Sequence, residues 1–208
     1  MESTYAENKK NHIITITVIC ISLIICLISD GFSAAEDVRS DCLRLHILAY
    51  SDSPEDQRVK LLVRDALFCE GAEIFDGSKN ADEACEKIIE NAAFLEETAN
   101  RVLAENGFSY KASISVEKEY FDTRQYDSVT LPAGEYTACK VILGEGDGQN
   151  WWCVMFPPMC LPVAENNDDI YAVFGDNGAS LVTQKNGYKI KFRLVELFEE
   201  VINYIREK

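Results

Sequence analysis

The chain has 208 residues with 20 basic and 35 acidic side chains, which gives a formal net charge of −15. A surface this acidic repels nucleic acid, whose binding depends on lysine and arginine neutralising phosphates, so nucleic-acid binding is excluded. It also repels anionic lipid headgroups and wall polymers, which favours a freely diffusing protein.

Residues 1–35 have the pattern of a secretory signal peptide. Lys9–Lys10 precedes an uncharged run over 13–28, which as a helix spans about 24 Å and falls short of a bilayer core of about 30 Å. Ser33–Ala35 then supplies the small residues that a signal peptidase reads. We predict cleavage after Ala35, with an uncleaved anchor as the alternative.

Residues 36–208 are long enough for a single extracytoplasmic domain with its own core. An even number of cysteines in an exported chain permits disulfides but leaves their pairing open. The absence of a CxxC motif argues against a zinc site, and so does the presence of only one histidine after residue 35, His46. We predict no metal and no cofactor. The six cysteines of residues 36–208 are Cys42, Cys69, Cys85, Cys139, Cys153 and Cys160.

The first predicted element is a strand over Leu43–Ala49, in which apolar residues alternate with Arg44, His46 and Leu48. This alternation predicts a half-buried strand. A helix follows, with Ser53 as its cap, Pro54 in its first turn and Asp56 completing a capping box. We expect this helix to end near Phe75.

A second helix is predicted to begin after Asn80 and to continue to Asn106–Gly107. The short link between the two helices predicts an antiparallel hairpin. Cys69 and Cys85 then lie at similar depth on the apolar faces. A disulfide and two separate core thiols are the alternatives there.

Three strands follow. Residues 108–120 alternate with period two, Leu131–Gly134 forms a turn that leads into a strand over Glu135–Leu143, and Trp151–Phe156 forms the last strand before Pro157-Pro158. A short strand over Tyr188–Phe192 and an amphipathic closing helix complete the prediction. The fold class is therefore α+β, with a mainly antiparallel sheet of about four strands and with a helical hairpin and a C-terminal helix packed against one face.

Trp151 and Trp152 are adjacent on the last predicted strand. Their side chains therefore point to opposite faces, and one of them faces away from the core. An exposed tryptophan beside a rigid Pro-Pro segment is typical of a protein interface. Sugar stacking and core packing of both indoles are the alternatives. The predicted partner-binding residues are His46, Asn150, Trp151, Trp152, Phe156, Pro157, Pro158 and Met159.

Cys153 and Cys160 flank the Pro-Pro segment and permit a disulfide or two packed thiols. The competing hypothesis is a cysteine-dependent hydrolase that acts on the wall or on a peptide, with Cys153 or Cys160 as nucleophile and His46 as base. The glycines over 144–148 lack the lysine and serine or threonine of a phosphate loop, and the acids beside them lack the spacing of a calcium loop.

Three sequence blocks are distinctive in residue type and order. They are LRLHILA and YSDSPEDQRVKL over 43–61, LPAGEY over 131–136, and GEGDGQNWWCVMFPPMC over 144–160. With KIKFRLVELF over 189–198, they resemble the stage II sporulation protein R family of endospore-forming bacteria. The residues that match the family's blocks are Leu45, His46, Asp52, Ser53, Leu131, Pro132, Gly134, Tyr136, Gly146, Asn150, Trp151, Trp152, Cys153, Pro157, Pro158 and Cys160.

The resemblance implies a secreted signalling protein that has no catalysis of its own. Members of the family are made in the forespore and exported into the space between the two septal membranes. There they trigger a membrane-embedded aspartic protease of the mother cell, which cleaves the inactive precursor of sigma-E. The partner implied is therefore this protease, without a small-molecule substrate, and the membrane is met only through the N-terminal segment before cleavage.

Overall fold

The computed structural model describes residues 2–126, 129–157, 167–184 and 188–206. It is a mixed α and β structure, which confirms the predicted class. The helices are α1 (Glu2–Ser40), α2 (Pro54–Phe75), α3 (Ala81–Glu90), α4 (Ala92–Glu105), α5 (Asn167–Val182) and α6 (Tyr188–Arg206). The strands are β1 (Leu43–Leu48), β2 (Ala112–Phe121), β3 (Arg124–Tyr126), β4 (Val129–Leu131), β5 (Gly134–Leu143) and β6 (Asn150–Phe156).

Four strands form the main sheet in the order β2-β5-β1-β6. β1 is parallel to β5 and antiparallel to β6, and β2 is antiparallel to β5. The sheet is therefore mixed, not wholly antiparallel, because β1 is inserted between two strands that follow one another in the chain. β3 and β4 form a separate two-stranded ribbon.

Both faces of the main sheet are covered. The apolar side chains of β1 pack against α2, α3 and α4 in one core, which includes Leu45, Val63 and Leu95. A second core on the opposite face joins the sheet to the end of α1, to α5 and to the β3–β4 ribbon. The prediction that helices cover one face, with β1 half-buried, is thus wrong. The polar residues of β1, Arg44 and His46, are only 0% and 3% exposed.

Helix α2 has the predicted bounds. The Oγ of Ser53 accepts a hydrogen bond from the backbone N–H of Asp56 at 3.1 Å, and Pro54 is the first helical residue. The capping box is incomplete, however, since the N–H of Ser53 donates to Ser51 Oγ at 3.2 Å instead of to Asp56.

The predicted second helix is two helices. Asn91 interrupts it with φ −104° and ψ 11°, and its side-chain amide donates to the carbonyl of Lys87 at 2.8 Å. This bond offers the backbone an alternative to continued helix. Cys69 and Cys85 are free thiols, and Cys69 is exposed, so its predicted place on the apolar face is wrong.

The C-terminal part also differs from the prediction. The predicted strand over Tyr188–Phe192 forms the first turns of α6. This helix packs on α1 and α5 through a small core that contains Ala34, Ala35, Leu181 and Phe192. Helix α1 runs without interruption through the predicted cleavage point. Among the described residues, no helix has the combined length and apolar character that crossing a bilayer requires.

Candidate functional site

The strands that carry the predicted interface residues lie side by side. β1 pairs with β6 in antiparallel register, which places His46 opposite Trp152 and Leu48 opposite Asn150. Since directly opposed residues of an antiparallel pair point to the same face, His46 and Trp152 share one face of the sheet. His46 thereby meets Asn150, which is 104 residues away in the chain.

The imidazole of His46 is held by three neighbours. Nδ1 lies 2.8 Å from Oε2 of Glu119, and Nε2 lies 2.9 Å from Oδ1 of Asn150. The ring stacks on the indole of Trp152, with 3.5 Å between centroids and 14° between planes. Both ring nitrogens therefore have a hydrogen-bonding partner, one on β2 and one on β6. We call His46, Glu119, Asn150 and Trp152 the histidine cluster.

Glu119 reaches this cluster from β2, and its side chain is only 18% exposed. Lys140 lies 2.8 Å from Glu117 and 3.4 Å from Glu119, which offsets their negative charge. The hydrogen bond to Glu117 raises the pKa of Lys140, and the charge of Glu119 raises it further, so Lys140 remains cationic. Nothing in the sequence pairs Glu119 with His46, because its position in the alternation predicts a water-facing side chain.

Trp152 is half-buried, and its remaining surface is bordered by charged residues. Its indole makes an edge-to-face contact with Phe121 at 4.8 Å, and the guanidinium of Arg124 lies 6.0 Å from the ring centroid. Trp152 and Arg124 line a small depression with Tyr120 and Asp122. The arrangement presents a tryptophan that is already fixed in one orientation at the surface.

Trp151 lies on the opposite face, as the strand alternation predicts. It packs at the edge of the core beneath α2, where the guanidinium of Arg64 lies 4.6 Å from its ring centroid. Phe156 belongs to the same side and contacts Phe75 at 6.2 Å across an apolar groove of about 240 Å³.

The predicted interface residues therefore fall into two groups on opposite faces of the sheet. His46, Asn150 and Trp152 form one, while Trp151 and Phe156 belong to the other. Pro157 is half-buried just after the strand. Pro158 and Met159 lie outside the described residues.

Cys153 is disulfide-bonded and only 1% exposed. Its predicted partner Cys160 lies outside the described residues, so that pairing stays a prediction. In the register of β1 and β6, Cys153 is opposite Leu45, and it therefore points away from the face that holds His46. The structure thus separates the two members of the nucleophile–base pair that includes Cys153.

Arg44 lies two residues before His46 on the same face and is fully buried. Its guanidinium packs against Phe121 at 4.1 Å and Tyr136 at 4.9 Å. Nε donates to the carbonyl of Cys153 at 3.0 Å, and Nη2 donates to the hydroxyl of Tyr126 at 2.7 Å. The sequence alternation predicts a solvated side chain here, whereas Arg44 connects the main sheet to the β3–β4 ribbon.

The block over 131–136 connects β5 to α1 and, through Arg39, to α6. The hydroxyl of Tyr136 donates to the carbonyl of Pro132 at 2.6 Å, and both groups are buried. Arg39 donates to the carbonyl of Ala133 at 2.8 Å and to Glu199 of α6 at 2.7 Å. Gly134 has φ +143°, and a Cβ there would collide with the guanidinium of Arg39.

The sequence of the chain is similar to that of one known protein family. The sequence model described as stage II sporulation protein R matches residues 39–166, which is more than half of the chain. The chain is also 35% identical over 133 residues to stage II sporulation protein R of Bacillus subtilis (strain 168), an alignment that covers 64% of this chain and 59% of that protein. No solved structure matches the chain significantly. The chain therefore belongs to the stage II sporulation protein R family.

Proposed function

We propose that this sporulation protein is an intercellular signal that activates a membrane-embedded aspartic protease of the mother cell and thereby leads to processing of the sigma-E precursor. It acts outside the cytoplasm, in the space between forespore and mother cell, and has no catalysis of its own. Membership of the family and the leader-like pattern of residues 1–35 support this proposal.

The observation that carries the proposal is the way in which the fold holds Trp152. The indole rests on the His46 ring, which Glu119 and Asn150 fix from either side. An aromatic side chain that is already ordered loses little conformational freedom when a partner docks on it. Tryptophan is also enriched among the residues that dominate binding energy. We therefore assign Trp152 as the anchor of the receptor interface.

The proposed mechanism is a population shift in the protease. The signal binds the outer surface of the receptor more tightly in its active state than in its inactive state, and so stabilises the active state. A hundredfold preference corresponds to about 2.7 kcal/mol. One desolvated tryptophan can supply about that much, since the principal interface residues contribute about 2 kcal/mol or more.

The test is reconstitution of precursor processing in a non-sporulating host that co-expresses this protein and the membrane protease. We expect Trp152→Ala to reduce processing at least about tenfold, which corresponds to about 1.4 kcal/mol, while Trp152→Phe retains part of it. Ile89→Ala is the control, because Ile89 is apolar and 58% exposed on α3, away from the histidine cluster. Full processing by a folded Trp152→Ala protein would contradict the proposal.

A further inference from the structure

β2 forms one edge of the main sheet, and half of that edge is capped by side chains of α4. The N–H of Ala112 donates to Asn100 Oδ1 at 2.9 Å, and the N–H of Ile114 donates to Glu96 Oε2 at 3.2 Å. These bonds show which residues of β2 direct their backbone groups away from β5. They are the even-numbered ones, because N–H and C=O groups alternate between the two sides of a strand.

The other half of the edge is open. The register between β2 and β5 is continuous from Ala112 to Phe121, so Val116, Lys118 and Tyr120 also direct their backbone groups outward. No described residue hydrogen-bonds to the N–H or C=O of these three. Unpaired backbone groups in a row form a template on which an extended chain can add as a strand.

The side chains around the open edge restrict what can pair with it. Glu117 and Glu119 point to the face of the histidine cluster, whereas Val116 and Lys118 point to the face that α3 and α4 cover. Tyr120 lies on the same side of the strand by alternation, at its far end, and has Glu199 and Arg39 among its charged neighbours. A strand added here therefore places its alternate side chains beside two carboxylates. On its other face it meets a mainly apolar strip that contains Val116 and Tyr120.

A second copy of this chain is a poor occupant. A twofold axis pairs two β2 edges antiparallel, and outward-facing residues must be opposite outward-facing residues. Every register that pairs two or more of the residues 116, 118 and 120 with one another is centred on 117, 118 or 119. Each of these puts a glutamate opposite a glutamate, as 117 with 117, 117 with 119, or 119 with 119. Like charges directly opposite are destabilising.

We propose that the β2 edge over Val116–Tyr120 is a strand-addition site for an extended segment of another protein that alternates basic and apolar residues. The basic residues meet Glu117 and Glu119, and the apolar residues meet Val116 and Tyr120. This site goes beyond the receptor contact assigned to Trp152 and does not depend on it. The complementary charge also agrees with the net charge of −15, which favours association with basic partners.

The probe is a short peptide of alternating lysine and valine, blocked at both ends and labelled for fluorescence anisotropy. Two versions carry N-methyl groups, one on the valine nitrogens and the other on the lysine nitrogens. Both methylated peptides have the same charge and composition, so they differ only in which side of the peptide loses its N–H donors. With lysines opposite the glutamates, antiparallel addition uses the valine N–H groups and parallel addition uses those of lysine.

We expect one methylated peptide to bind at least about tenfold more weakly than the other, because several backbone hydrogen bonds are lost from only one of them. Loss with methylated valine identifies antiparallel addition, and loss with methylated lysine identifies parallel addition. Equal affinity of the two methylated peptides would overturn the proposal, since it would show attraction by charge alone.

The contribution of the β2 backbone is tested with the variant Lys118→Pro and its control Lys118→Ala. Proline removes the outward N–H at the centre of the edge, and that N–H takes no part in the pairing with β5. We expect the proline variant to bind the unmethylated peptide at least about tenfold more weakly than the alanine variant.

Hydrogen exchange on the unmodified protein gives a readout that does not depend on the folding of a variant. The amides of Val116, Lys118 and Tyr120 should exchange faster than those of Glu117 and Glu119, and should become protected when the peptide is added. Protection that does not change on saturation with peptide would overturn the proposal.

Discussion

Arg44 and His46 alternate with apolar residues along β1, and both are buried against partners that lie far away in the chain. The pattern alone predicts that they face water, because a charged residue is seldom buried without a partner. Their partners are Glu119 and Asn150 for His46, and Tyr126 for Arg44. These contacts arise only from the strand order, which is why the sequence does not predict them.

The thiols of the folded chain should differ widely in reactivity. Burial raises the pKa of Cys42 and of Cys139 to about 12, and both are inaccessible. Cys69 is exposed. Since the thiolate is the reactive form, we expect iodoacetamide at pH 8 to modify Cys69 rapidly and to modify the two buried thiols only after unfolding. Mass spectrometry of the labelled peptides measures this, and equal labelling in the native protein would contradict it.

Asp56 should contribute to stability in a pH-dependent way. Burial by itself raises the pKa of Asp56, but hydrogen bonds from Ser51, Tyr110 and Ser53 together lower it below the usual 3.8. Because the folded-state pKa is the lower one, the contribution is fully present above the unfolded value. It is lost as the pH falls through the folded value.

The hydroxyl of Tyr110 donates to Asp56 at 2.6 Å. We expect Tyr110→Phe to reduce the free energy of unfolding by about 1.5–3 kcal/mol at pH 7, and by less at pH 3, because the bond to the ionised carboxylate is lost. Urea unfolding at both pH values measures the difference. Tyr50→Phe is the control, since its ring stacks on Tyr110 but its hydroxyl makes no hydrogen bond within the described residues. A loss that is equal at both pH values would exclude this role.

At the scale of elements, the helix signals were predictive where a local cap sets a boundary. Ser53 and Asn80 begin helices as predicted, because each side chain accepts a bond from a nearby N–H. Asn91 breaks a helix in the middle of an unbroken apolar pattern, and its backbone angles of φ −104° and ψ 11° mark the break. The parallel pairing of β1 with β5 likewise depends on long-range order that no local pattern encodes.

The Arg39 side chain lies directly against Gly134. We therefore expect the stability effects of substitutions at these two positions to be coupled. Gly134→Ala should destabilise the protein more than Gly107→Ala, by about 1–3 kcal/mol. Both glycines have positive φ, at +143° and +82°, but the space around Gly107 is open. In an Arg39→Ala background, the additional cost of Gly134→Ala should decrease, because the collision is removed and only the backbone strain of the positive φ remains. A double-mutant cycle by thermal unfolding tests this, and additive effects would contradict it.

For the whole molecule, the sequence was sufficient to predict the family and the α+β class. Trp152 lies in one of the sequence blocks that match the family. The sequence was insufficient for the second covered face, since α5 and the β3–β4 ribbon lie in segments with weak periodicity. The candidate site was partly predictable: His46, Asn150 and Trp152 stood in matched blocks, whereas Glu119 lay outside them.

Residues 30–35 should contribute to the stability of the domain. Ala34 and Ala35 are buried against α5 and α6, and Asp30 pairs with Lys191. We expect the free energy of unfolding to be about 2 kcal/mol lower for a chain that begins at Glu36 than for one that begins at Ser29, because this apolar contact is lost. Chemical denaturation of both chains measures it. Equal stability would show that α1 before Glu36 adds nothing to the fold.

The continuity of α1 restricts when the predicted cleavage after Ala35 can take place. A peptidase that cuts after Ala35 needs the peptide bond accessible and extended, yet in the finished fold that bond lies within a helix whose inner side is packed. If the chain is cut after Ala35 as predicted, cutting has to precede the docking of α6, and a chain that folds first keeps residues 1–35. The rate of folding would then decide what fraction of the chains keeps this segment.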